Sequence, residues 1–183
     1  MAAYDFERMT VLLAEDSQFI RSLLINSLKI LGVGRVIPVE DGGAAIDFLK
    51  LVKSDPMKAG VQQVDIIISN WDMSPVDGMM FLRWVRRHKE SPDRFVPFIM
   101  VTGYTEPQRV VQAREMGLTE MLAKPFTIKN IGEKMESIIE RPRQFVHNAT
   151  YFGPDRRRQQ LPHQGVEQRV LNDKSEGVEI VRG

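Results

Sequence analysis

VDIIISNWDMSPVDG, residues Val64 to Gly78, is the stretch that decides how this chain folds. The run Ile66-Ile67-Ile68 has no polar alternation, which predicts a strand buried on both faces. It delivers Asn70 into a loop that carries Asp72 and Asp77 and closes on Gly78. A strand that ends in an acidic loop is a common way for α/β chains to build a phosphate or metal site. Here the delivered residue is an amide where a carboxylate would be expected.

Outward from this segment, short apolar runs alternate with amphipathic stretches. TVLLA (Thr10 to Ala14) reads as a buried strand. Ile20, Leu23, Leu24, Leu28 and Leu31 then follow helical spacing, with Ser17 placed to cap and Gly32 to terminate. RVIPV is a second strand, and Pro38 within it predicts a sheet edge. Ala45, Ile46, Leu49 and Val52 line the next helix, and a polar connector over 54–63 leads back to Val64. Asp77 caps a helix predicted over Gly78 to Lys89. FVPFIMVTG is a fourth strand, and Thr105, Glu106 and Pro107 open another helix. EMLA is a fifth strand, and Ile128, Ile131, Met135 and Ile138 form the stripe of the last helix. Five strand–helix units in strict alternation predict an α/β fold with a parallel sheet covered on both faces.

The bulk numbers bound the function. A net charge of +1 over 183 residues gives no global pull toward nucleic acid or membrane. The absence of cysteine excludes disulfides and thiolate metal sites and suits a cytoplasmic protein. The N-terminus does not read as a secretory signal, and no uncharged apolar run approaches spanning length. We divide the chain into an extension (1–8), a domain (9–140) and a tail (141–183). The tail holds eight Lys/Arg against five Asp/Glu with sparse apolar residues. It is expected to be mostly disordered, with a short ordered contact at FVHNATYFGP and a protease cut after Arg141. No DNA-binding or catalytic output unit is expected in it.

In parallel α/β folds the site gathers at the carboxyl ends of the strands. Those ends carry Glu15-Asp16, Asn70 with Asp72, Thr102 and Lys124-Pro125. Two acids suit a Mg²⁺ ion, and a hydroxyl with an ammonium suits phosphoryl oxygens. Each alone has a bland reading: helix-start acids, a hydroxyl satisfying backbone, a solvated lysine. Four matched to successive strand ends outweigh those. Trp71 and Trp84 read as packing residues, and RWVRRHK, Arg83 to Lys89, as a solvated helix face with a docking patch as the alternative. His88, His147 and His163 are too scattered for a metal site or a catalytic base.

LLAEDSQFIRSLL, DIIISNWDMSPVDGMMFL, FIMVTG and LAKPF resemble the motifs of the response-regulator receiver domain of the single-domain chemotaxis type, over roughly residues 9–140. The resemblance implies a flavodoxin-like (βα)5 sheet of order 2-1-3-4-5 and phosphorylation of an aspartate at the end of the third strand. It makes Asn70 the phosphoacceptor position, Glu15 and Asp16 the metal pair, and the Asp72 backbone carbonyl a further metal ligand. It makes Thr102 and Lys124 the switch and phosphate-binding residues, Met121 the aromatic-switch position, and Pro125 a cis-proline. The partner would be a histidine kinase, a phosphotransferase or a downstream target, contacting residues 106–140.

Three features depart from that pattern: Asn70, the proline displaced to Ser74-Pro75, and Met121. An amide nitrogen is not nucleophilic, and losing a carboxylate weakens Mg²⁺ binding. Three readings of Asn70 follow: a pseudo-receiver acting through protein contacts, an ordinary receiver carrying an introduced aspartate-to-asparagine substitution, or phosphorylation moved to Asp16 or Asp72. The further departures favour the first. From another class, a Mg²⁺-dependent phosphotransfer enzyme would need a nucleophile, and no His or Cys stands near the strand ends. YFGPDRRR, Tyr151 to Arg158, reads as a charged linker or as a peptide that folds on a partner through Tyr151 and Phe152.

Overall fold

The computed structural model describes residues 6–103, 106–155 and 178–181. Its elements are β1 (Thr10–Ala14), α1 (Gln18–Ile30), β2 (Arg35–Val39), α2 (Gly42–Ser54), α3 (Pro56–Ala59), β3 (Ile66–Asn70) and α4 (Gly78–Arg87). They continue with β4 (Phe98–Thr102), α5 (Pro107–Glu115), β5 (Glu120–Ala123), α6 (Ile128–Glu140), β6 (Phe145–His147), β7 (Phe152–Pro154) and β8 (Glu179–Val181). The parallel sheet runs β2-β1-β3-β4-β5, the expected order.

Because every central strand is buried, successive residues feed opposite cores. Leu12, Ile67, Phe98 and Met100 face α2, α4 and α5 together with Leu49, Phe81, Leu82, Val85 and Ala113. Val11, Leu13, Ile66, Ile68, Ile99 and Val101 face α1 and α6 with Leu24, Leu28, Ile131 and Met135. Full burial of each such side chain contributes about 2 kcal/mol. Phe6, from the N-terminal extension, is buried in the second core. Pro38 sits in edge strand β2 opposite Leu13, where its missing N–H costs no ladder bond.

The caps follow the local chemistry. Ser17 accepts from the Ile20 N–H at 3.4 Å, Asp77 from the Met80 N–H at 2.7 Å, and Thr127 with Asn130 closes a capping box. Gly32, at φ 86°, follows the end of α1. A Cβ at residue 78 would collide with the Asn70 carbonyl, so only glycine lets α4 start where β3 ends.

Several expectations need correction. The connector over 54–63 contains one helical turn, α3, because Asp55 accepts from the Lys58 N–H at 3.0 Å. Helix α4 stops at Arg87, two residues early, since His88 is extended. Ile128, placed on the buried stripe of α6, is exposed. Arg86, read as part of a solvated face, is fully buried. In the tail, the ordered contact at FVHNATYFGP is present and larger than expected. Strands β6 and β7 pair antiparallel, β8 joins on the other side of β6, and Phe145, Tyr151 and Phe152 are buried. That docking carries packed structure past Arg141, the residue after which a cut is expected. The remainder of the expected disorder, at 156–177 and 182–183, lies outside the described residues. So do Thr105, His163 and Arg156 to Arg158; the N-cap of α5 is Glu106, not the expected Thr105.

Candidate functional site

The carboxyl ends of β1, β3 and β5 converge as parallel pairing requires. Ala14 lies in register with Ser69, and Asn70 with Val101. Glu15 follows β1 and is fully buried, and Asn70 is 7% exposed. The Asn70 side chain is the hub. Its Nδ2 donates to Glu15 Oε1 at 3.2 Å, Asp16 Oδ1 at 3.1 Å and the Asp72 carbonyl at 2.7 Å. Its Oδ1 accepts from Lys124 Nζ at 3.1 Å, and the same ammonium lies 3.3 Å from Glu15 Oε2. Turning the amide over would set its oxygen against two carboxylate oxygens and its nitrogen against an ammonium. The observed orientation is the one that complements every neighbour. Two amide protons share three acceptors, so at least one of these bonds is bifurcated.

Arg21, in the first turn of α1, was not singled out in the sequence. It donates to the carbonyls of Glu15 at 2.6 Å and Asp16 at 3.3 Å, and lies 3.6 Å from Glu40. Lys124 thus pairs with the Glu15 carboxylate, while Arg21 holds the backbone carbonyls of both acids. Thr102, buried at the end of β4, accepts the Lys124 N–H on its carbonyl at 2.8 Å. Lys124–Pro125 is cis as expected, and Ser74–Pro75 is also cis. Met121 is half-buried in β5 and packs against the α2–α4 core. Trp71 is buried, with the Arg109 guanidinium 5.8 Å from its ring.

The two acids titrate in opposite directions. Burial pushes Glu15 up; the Ser17 N–H and Lys124 oppose the rise, Asp16 adds to it, and the net shift is upward. Burial also pushes Asp16 up, but hydrogen bonds from Glu15, the Asn70 amide and the backbone N–H groups of Asp16 and Ser17 outweigh it, leaving Asp16 below its ordinary value. An acid raised on folding contributes stability at low pH that is lost as pH rises through its folded value. An acid lowered on folding does the reverse. Glu15→Gln is accordingly expected to match the native chain below the ordinary carboxylate range and to exceed it toward neutrality. Urea midpoints across that range, in chelator, measure the difference. A variant weaker than the native chain at neutral pH would mean that the Lys124 ion pair outweighs the burial cost.

Mg²⁺ takes oxygen ligands, and Glu15, Asp16 and the Asp72 carbonyl supply them, so the oxygen set fits such an ion. The Asn70 amide nitrogen stands among the same three oxygens. Among the described residues, no three His, Cys, Asp or Glu side chains gather as a metal cluster.

Residues 11–136 match the family model of the response regulator receiver domain. The chain belongs to the response-regulator receiver family. This receiver is 30% identical over 131 residues to a chemotaxis protein CheY homolog of Campylobacter jejuni, covering 72% of this chain and 92% of that one. It is 27% identical over 135 residues to chemotaxis protein CheY-3 of Vibrio cholerae, covering 74% and 95%. In fold it is similar to the receiver domain of the histidine kinase CKI1 from Arabidopsis thaliana, a structure solved with Mg²⁺ and BeF3⁻ (TM-score 0.64, 21% identity, 75% of this chain and 95% of that one). Among the described residues, no helix of this receiver is long and apolar enough to cross a membrane.

Proposed function

We propose that this receiver is a pseudo-receiver: Asn70 stands at the phosphoacceptor position, takes no phosphoryl group, and the domain acts in two-component signalling through protein–protein contacts and not as an enzyme. One observation carries the reading. The Asn70 amide nitrogen sits among Glu15, Asp16 and the Asp72 carbonyl while its oxygen holds Lys124. The groups that would bind a metal and a phosphoryl oxygen are satisfied by one another. Delocalisation leaves the amide nitrogen without a nucleophilic lone pair, so no acyl phosphate forms at this position. Admitting Mg²⁺ requires the amide to turn over and face Lys124 donor to donor, so metal binding is weakened though the oxygens remain. Thr102 and Lys124 keep the switch and phosphate-binding positions, and Met121 the aromatic-switch position. Phosphoryl transfer to Asp16 is disfavoured because its carboxylate is bonded to the Asn70 amide and the Ser17 N–H.

The receiver unit is 9–140, with 1–8 as an extension and 141–183 as an appendage. The partner is a histidine kinase, a phosphotransferase or a downstream target that contacts the 106–140 face in the cytoplasm. Nucleic acid is not the partner, a reading in keeping with the net charge of +1. Incubated with Mg²⁺ and acetyl phosphate, the native chain is expected to gain no phosphoryl group by intact mass. A hydroxylamine-labile adduct on it would end this reading.

A further inference from the structure

Arg86 is a guanidinium fully withdrawn from water at the opposite end of the sheet from the acidic pocket. Its Nε donates to the Gly117 carbonyl at 2.9 Å, and one terminal nitrogen to the Arg94 and Val96 carbonyls at 2.9 and 2.7 Å. The other terminal nitrogen reaches Thr119 Oγ1 at 3.3 Å. The segment after α6 seals this socket. Phe145 lies 5.2 Å from the guanidinium, and Phe95, Phe145 and Phe152 form a triangle of rings with centroids 5.1 to 5.5 Å apart. Arg94 covers Phe152 at 3.5 Å. Such cation–ring contacts strengthen when desolvated.

The same segment grips the connection between α5 and β5. Arg143 donates to the Thr119 carbonyl at 3.1 Å. Gly153 packs backbone to backbone on Gly117, where an added Cβ would lie 2.6 Å from the Gly117 Cα. Thr119 Oγ1 also accepts the Phe98 N–H at 3.0 Å. Residues 117–119 are thus held by α4, by β4 and by the segment at once. Within helix α5 Ala113 is the one fully buried residue, Arg109 lies by the Trp71 ring, and the N-cap, Glu106, makes no side-chain capping bond.

We infer that residues 141–155 form a strap that clamps the α5–β5 connection and so sets how firmly α5 lies against the sheet. The strap acts from the end of the molecule remote from Asn70, so the inference stands whatever Asn70 does. It gives this receiver a handle on its 106–140 face that needs no phosphoryl group. A partner that lifted the strap would loosen α5 without touching the pocket.

Hydrogen exchange read by mass spectrometry on the full chain tests this. The native protein is compared with Gly153→Val, which wedges the strap off Gly117, and with the milder Phe152→Ala. In both variants the 145–154 peptides are expected to lose protection and the 107–119 peptides to exchange about tenfold faster or more, while β1 and β3 keep their native rates. Native exchange rates over 107–119 with the strap released would overturn the clamp. So would a native strap that exchanges as fast as an unstructured peptide. If Gly153→Val loses protection throughout, Phe152→Ala decides; loss throughout in both variants also overturns the clamp, making the strap part of the global core.

Discussion

Asn70→Asp makes the stability of the fold depend on Mg²⁺. The variant places a third carboxylate against Glu15 and Asp16, with Lys124 already shared and Glu15 fully buried. Two like charges about 4 Å apart repel by about 4 kcal/mol at the effective dielectric of a protein site. Solvent at Asp16 and the upward shift of Glu15 reduce this, so a loss of about 1–3 kcal/mol in chelator is expected. Adding Mg²⁺ at about a hundred times its dissociation constant returns about 2.7 kcal/mol. Thermal melts in chelator and in Mg²⁺ would then separate widely for the variant and hardly at all for the native chain. The variant should also take up a phosphoryl group from acetyl phosphate. A native chain whose melting point rises with Mg²⁺ as much as the variant's would show that the Asn70 amide yields easily to the metal, against the proposed closure of the site.

Arg86→Met removes about 3–5 kcal/mol of stability. Methionine fills much of the volume but leaves the Gly117, Arg94 and Val96 carbonyls buried without their donor, and each costs about 1–3 kcal/mol before relaxation. Burial pushes the Arg86 pKa down to about 9, with Arg94 adding to the fall and Asp93 and Tyr151 opposing it. The group is therefore charged at neutral pH, and its burial is already offset by these bonds. Arg86→Lys keeps the charge but loses the planar fork, and should fall between the two. Urea midpoints of the three proteins measure the effect. A methionine variant within about 1 kcal/mol of native would show that the socket relaxes around the loss and that the hydrogen bonds contribute little.

The fold was legible because strand burial leaves a plain signature. Ile66-Ile67-Ile68 and TVLLA carry no alternation, and only a strand covered on both faces tolerates that. The strand-end rule then gathered Glu15, Asp16, Asn70, Asp72 and Lys124, which the structure brings into direct contact. The orientation of the amide was not legible, because it depends on angstrom-scale distances to four neighbours. Arg21 left no signal, since its hydrogen-bond partners at the site are backbone carbonyls. Arg86 did leave one: it lies four residues after Leu82 and beside Val85, on the apolar face of α4. Reading RWVRRHK as a block of charge hid that phase. The tail was read by composition, which cannot register that Phe145 and Phe152 meet Phe95 and that Phe145 lies by a buried guanidinium across the fold.

Lys124 pairs with Glu15 and the Asn70 amide bonds both acids, so the pocket is satisfied by groups of the chain itself. On the proposed reading, such a pocket responds weakly to magnesium and not at all to phosphodonor supply. A receiver that works in the proposed way would convey information through that end by how many copies exist and which binders they occupy, as a titrant does.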